Sequence, residues 1–230
     1  MRNGFTGIGV LCALAALAGG AAWAHNPVVI NGGPTDAETA HFIKDISVSR
    51  VAYHHAKPGQ EVLWLTFNGK AGQTVDFQMG LPKLDRYASL RPATALLGPG
   101  LPAPPELPFA IPAGMGALLF TTEDQTPTVF DEEFTGTVDW QFEGEQVQLP
   151  QDGKYFLVSY LPSGGEGKFW IAPGLTEAFG LWDLIRMPVI IVQARLFHEV
   201  FPWGGILGWT YLGLFLAAVA GISITGAVLL

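Results

Sequence analysis

Glu61-Val-Leu-Trp-Leu-Thr-Phe-Asn-Gly-Lys-Ala-Gly-Gln-Thr-Val-Asp-Phe-Gln-Met-Gly-Leu81 decides the fold. Its first third is dense in leucine, valine and aromatic residues, a composition that favours strand. Asn68-Gly69 marks a turn, lengthened by Lys70-Ala71-Gly72. Beyond the turn, Val75, Phe77 and Met79 alternate with polar residues, the period of a strand with one buried face. Similar short segments are predicted on both sides, over residues 46–53, 115–121, 128–130, 135–142, 146–149, 154–160 and 167–172. Short strands broken by Gly, Pro, Asn and Asp turns predict a mainly β fold, an antiparallel β-sandwich or jelly roll.

Residues 82–114 interrupt this rhythm with Pro82, Pro92, Pro99, Pro102, Pro104, Pro105, Pro108 and Pro112. Proline removes a ladder donor, so the stretch is expected to be a long ordered loop crossing between sheets and not a central strand. Residues 25–34 are expected to be an extended lead. A short helix is predicted over residues 35–44, capped by Thr35 or Asp36.

The two ends differ from the middle. Residues 1–24 have the pattern of a secretory signal peptide: Arg2, an apolar stretch over 8–18, and Ala22-Trp23-Ala24 as the cleavage site. The mature chain then begins at His25, with an extracytoplasmic sandwich domain over 25–174. Residues 175–202 are predicted to form a juxtamembrane amphipathic helix that Pro188 is well placed to start. Met187, Ile190, Ile191, Ala194, Phe197 and Phe201 share its apolar face, while Arg195 lies elsewhere. Packing on the sandwich and lying at a bilayer interface both suit such a face. Residues 203–230 carry no charge and have Trp203, Trp209 and Tyr211 clustered at their start, as expected of a single transmembrane helix. The expected location is the cell membrane, crossed once, with the main domain periplasmic or extracellular.

Composition narrows the function. Twelve Lys and Arg stand against 20 Asp and Glu, a formal net charge of −8, which argues against nucleic-acid binding. The single cysteine, Cys12, lies in the signal segment, so the mature domain offers no disulfide, thiol nucleophile or thiolate metal site. No nucleophile elbow, phosphate loop or dinucleotide fingerprint is present. The expectation is a non-enzymatic protein without a cofactor.

Four sets of residues remain as candidates. Gly213, Ala217 and Gly221 form a small-residue stripe on the terminal helix that suits a partner transmembrane helix or a homo-oligomer. Asp131, Glu132 and Glu133 lie within 92–153, a span free of Lys and Arg, and form an acidic patch suited to a basic protein partner. A mature His25 can chelate copper through its amine and imidazole, with His54 or His55 completing the site. Adjacent strand residues point to opposite faces, so only one of that pair can join. Copper binding is therefore the alternative reading. Trp64, Phe67, Phe77, Trp140, Phe142, Tyr155, Tyr160, Phe169 and Trp170 supply the third reading, a carbohydrate-binding platform, although alternating aromatics pack in cores by default.

Two segments resemble bacterial pre-peptidase C-terminal-type sandwich domains. One is Phe67-Asn-Gly-Lys-Ala-Gly-Gln-Thr-Val75; the other is Leu149-Pro-Gln-Asp-Gly-Lys-Tyr-Phe-Leu-Val158. The proline-rich stretch and the apolar tail depart from that pattern. The resemblance implies a non-catalytic accessory or binding domain and carries over no functional residue. The sequence thus points to a membrane-anchored binding or accessory subunit of a membrane protein complex. Mass spectrometry of protein purified from membranes is expected to find His25 as the first residue. An intact Met1 would overturn the cleavage reading.

Overall fold

The computed structural model describes residues 26–29, 35–176, 181–202 and 213. In chain order these form β1 (Asn26–Val29), β2 (His41–Phe42), β3 (Arg50–Ala56), β4 (Val62–Gly69), β5 (Thr74–Pro82), a 3-10 turn (Asp85–Tyr87), β6 (Ala93–Gly98), β7 (Gly116–Thr121), β8 (Thr128–Glu132), β9 (Thr137–Gln141), β10 (Glu145–Gln148), β11 (Gly153–Tyr160), β12 (Gly167–Pro173) and α1 (Leu181–Phe197). One sheet runs β1-β3-β12-β5-β9-β8, with β10 also paired to β5; the other runs β2-β4-β11-β6-β7. Edge strands β1 and β2 pair in parallel, and the remaining ladders are antiparallel.

The turn after Gly69 closes no hairpin. It carries the chain from β4 in one sheet to β5 in the other. Gly69 is required there because Leu149 Cδ1 and the Tyr155 ring occupy the space a Cβ would take, at 2.2 and 2.9 Å. The β10–β11 corner answers it: the Gly72 amide donates to the Leu149 carbonyl at 2.8 Å, and the Leu149 amide to the Gln73 carbonyl at 2.9 Å. Asp152 accepts from the Ala71 amide at 2.8 Å and pairs with Lys70 at 2.9 Å. The two segments that resemble the pre-peptidase family therefore meet in one corner.

Strand alternation fills the interlayer core. Leu63, Leu65 and Phe67 from β4 cluster with Val75, Phe77, Met79 and Leu81 from β5, joined by Leu157 from β11 and by Phe169 and Ile171 from β12. Both outer faces are also apolar, and both are covered. Trp64, Leu97, Phe156 and Val158 on the five-stranded sheet lie under Leu107, Phe109, Ile111 and Met115 of the proline-rich segment. Val51, Tyr53, Trp170 and Ala172 on the seven-stranded sheet lie under Ala194 and Phe197 of α1.

Several expectations are corrected. The proline-rich stretch holds a central strand, β6, between β11 and β7. Pro92 and Pro99 flank β6 and none lies inside it, so its ladder donors are intact. The loop that follows joins neighbours β6 and β7 within one sheet, so it is a cover and no crossover. Residues 35–40 make a single turn, with Asp36 Oδ1 accepting from the Glu38 and Thr39 amides at 3.0 and 2.9 Å, after which β2 begins. Residues 26–29 are a paired strand. The first long strand starts at Arg50, because an Asp45–Ser47 side-chain turn occupies the chain before it. Pro188 lies inside α1, and the helix packs on the sandwich.

Among the described residues no helix is long and apolar enough to cross a membrane. The signal peptide expected over 1–24 and, apart from Gly213, the transmembrane helix expected over 203–230 lie outside the described residues.

Leu96 is fully buried in β6. Leu96→Ala is expected to cost about 2–5 kcal/mol by removing packed methyls and leaving a cavity. Denaturant unfolding of the variant checks this; a loss under about 0.5 kcal/mol, the scale of a surface-loop change, would remove β6 from the core.

Candidate functional site

The seven-stranded sheet carries an ionisable group on its α1-covered face. Asp139, in β9, is 5 % exposed, and its Oδ1 accepts from Trp170 Nε1 at 2.7 Å. The same oxygen lies 2.8 Å from Nε2 of His198, which is 2 % exposed, while His198 Nδ1 lies 2.6 Å from the Ala194 carbonyl. A carbonyl and a carboxylate both accept. The His198 ring thus bridges two acceptors, one on its own helix and one on the sheet. Tyr53 meets His198 edge-on and Phe197 at 4.6 Å. Burial, and then the nearby Asp139 and Glu132 charges, push the Tyr53 hydroxyl well above its ordinary pKa. Between Tyr53, Glu132, Thr135, Asp139 and Trp170 lies a hollow of about 20 Å³, room for about one water.

The end of α1 is fixed around this pair. His198, Glu199 and Val200 close the helix by backbone bonds to Ala194, Leu196 and Arg195. Glu199 adopts φ +59°, the left-handed conformation of a Schellman stop, unusual for a residue with a Cβ. Its carboxylate meets Lys168 Nζ at 2.7 Å and also pairs with Arg86, which pulls its pKa down; Lys168 also donates to the Phe197 carbonyl at 2.8 Å. Arg195, 7 % exposed, donates to the carbonyls of Thr135, Gly136 and Phe201 at 2.6, 2.8 and 2.6 Å. The arrangement can lock a helix to a sheet. An acid–base dyad working on a substrate would need an open approach, and α1 covers this one.

A second polar feature lies on the other face of β3, between the two sheets. His41, Phe42, Ile43, Lys44, Arg50, Ala52, Leu65 and Pro173 line a cleft of about 190 Å³ where β2 and β3 part. Partial burial, then the Arg50 charge, lower the His41 pKa.

The residues singled out from sequence scatter. His25 lies outside the described residues. His54 points into the interior, where burial lowers its pKa, and its Nε2 lies 2.9 Å from the Gln60 carbonyl. His55 faces outward, its Nε2 2.9 Å from Glu166 Oε1 but without hydrogen-bond alignment. The two do not share a point in space, and among the described residues no three His, Cys, Asp or Glu side chains gather around a metal-sized site. Asp131 and Glu133 are exposed. Glu132 turns inward by strand alternation, caps the Phe134 amide at 3.0 Å and drops out of the acidic patch. Gly213 is helical; Ala217 and Gly221 lie outside the described residues. The aromatic set is buried except for half-buried Trp140, so it forms no sugar platform.

Sequence reasoning missed Asp139, Arg195 and His198. A signal was available: Ile191, Ala194, Arg195 and His198 follow the i, i+3, i+4, i+7 spacing of one helix face, which puts two polar groups into a buried stripe.

No protein-family model matches the chain, and no curated protein does. Among solved structures, the chain is similar to the pre-peptidase C-terminal domain of a Bacillus anthracis collagenase, at 16 % identity over 62 % of this chain and 99 % of that domain, TM-score 0.31. It is similar also to CorA, a surface-associated copper-binding protein of Methylomicrobium album BG8, at 10 % identity over 65 % of this chain and 100 % of that one, TM-score 0.34. A third is the secreted protein MopE of Methylococcus capsulatus, whose copper binding is facilitated by an oxidised tryptophan, at 15 % identity over 50 % of this chain and 70 % of that one, TM-score 0.24. The likeness to pre-peptidase C-terminal domains read from the sequence is met again here.

Asp139→Ala strands the Trp170 and His198 donors under α1. It is expected to destabilise the protein by about 3–5 kcal/mol, the scale for removing one partner of a buried pair. Hydrogen exchange checks it: α1 amides are expected to lose protection before those of β11, and uniform protection would show that the pair does not hold the helix.

Proposed function

We propose that the chain is an extracytoplasmic, non-enzymatic binding or accessory module, anchored in the cell membrane by one helix over residues 203–230. The observation that carries this reading is the pinned end of α1. The Asp139–His198 contact, the Glu199 ion pairs and the Arg195 donors hold residues 195–201 to the seven-stranded sheet, directly before the uncharged run. A loose tether needs none of these contacts. A pinned exit suits a domain that is presented at a set angle to a membrane.

Two further features support the reading. Leu196, Val200 and Phe201 are exposed apolar side chains at the end of α1 and just beyond it, a few residues before the apolar run begins in sequence. The one buried acid–base pair found among the described residues is closed to a substrate, which favours binding over catalysis. Gly213, Ala217 and Gly221 would meet a partner helix or a second copy, and exposed Asp131 and Glu133 would face a basic partner.

Alkaline carbonate extraction tests the anchor. The full chain is expected in the membrane pellet and a chain ending at Pro202 in the supernatant; release of the full chain would sink the reading. For the partner, Gly221→Leu is expected to abolish co-purification of whatever the parent brings from detergent-solubilised membranes. A parent that purifies as a lone monomer would remove the subunit role and leave the anchor.

A further inference from the structure

The cleft between β2 and β3 stands out by its charge. The chain carries a net charge of −8, yet three basic side chains, His41, Lys44 and Arg50, line this one opening and no carboxylate does. Among the described residues none of the three is in an ion pair. Asp45 feels the Arg50 charge, but its Oδ1 accepts from the Ser47 amide at 3.0 Å and the Ser47 hydroxyl at 2.7 Å.

Strand geometry explains the site. Arg50 shares the inward face of β3 with Ala52, a core residue, but lies at the strand's first position, where the two layers open. Half-buried there, it lines the opening between the sheets. Opposite it, β2 is only two residues long and brings His41 and exposed Phe42 to the rim. The floor is Ile43, Ala52, Leu65 and Pro173. The result is a cationic mouth over an apolar floor, in about 190 Å³. A guanidinium matches a carboxylate by two parallel hydrogen bonds, and an apolar floor adds affinity for a hydrocarbon body but none for an inorganic ion.

We propose that this cleft is a binding site for a small amphipathic carboxylate, with Arg50 and Lys44 on the carboxylate and the alkyl part against Ile43, Ala52 and Leu65. It goes beyond the anchoring role and does not depend on it, since every residue used belongs to the sandwich.

Fluorine NMR of the full chain in detergent, with 4,4,4-trifluorobutyrate as probe, tests it. Saturable binding is expected that 4,4,4-trifluorobutyramide does not share. Arg50→Gln and Lys44→Gln are each expected to weaken binding at least fivefold, while Lys70→Gln, at the far corner, binds as the parent does. Lys44 is exposed, so its variant keeps the test available if Arg50→Gln does not fold. The proposal is overturned by no saturable binding, by equal binding of the amide, by inorganic phosphate competing as strongly as the acid, by unchanged affinity in the folded cleft variants, or by an equal loss in Lys70→Gln.

Discussion

A buried carboxylate must be answered by donors, and Asp139 sets that demand on this protein. Leaving such a group unpaired costs several kcal/mol, more than most single contacts return. Trp170 supplies one donor from the neighbouring part of the sheet, and His198 supplies the other from beyond the end of α1. Satisfying Asp139 therefore requires the helix to be docked, and docking the helix buries Tyr53, Trp170 and Ala172. Polar satisfaction and apolar burial point to the same placement. The polar contact specifies which placement it is, because apolar packing alone would tolerate a helix slid by a turn.

The two covers differ in kind for a physical reason. The seven-stranded sheet presents a polar centre and is covered by a helix that brings matched donors. The five-stranded sheet presents Trp64, Leu97, Phe156 and Val158, and is covered by a proline-rich segment that brings Leu107, Phe109, Ile111 and Met115. Proline costs little chain entropy when fixed, and its missing donor is harmless in a segment that joins no ladder. The edge-to-face contact of Trp64 with Phe109 seats this cover on side chains, and the Ala117 amide of β7 donates to the Pro102 carbonyl at 2.9 Å.

Most strands were legible because alternation is a local signal. Val75, Phe77 and Met79 declare a buried face without reference to anything distant. β6 was misread because proline was weighed over a stretch when its effect is positional: Pro92 and Pro99 sit just outside Ala93–Gly98. The Asp139–His198 contact joins residues 59 apart, and no local period reports such a pair. Its helix half was within reach, since Arg195 and His198 share a face with Ile191 and Ala194. The cleft was out of reach for another reason. His41, Lys44 and Arg50 come together only because β2 and β3 belong to opposite sheets that part at that edge, a fact of topology that spacing does not encode.

The sheet order also has a consequence for biosynthesis. β11 lies between β4 and β6, and β12 lies between β3 and β5, so the inner ladders of both sheets are built on the last two strands to be made. Until residue 173 is available, β3, β4, β5 and β6 lack those central partners and leave hydrogen-bonding edges open. A chain made from its N-terminus therefore completes both sheets only when its last two strands arrive. That order makes the interval before β11 and β12 emerge the period of greatest exposure to aggregation.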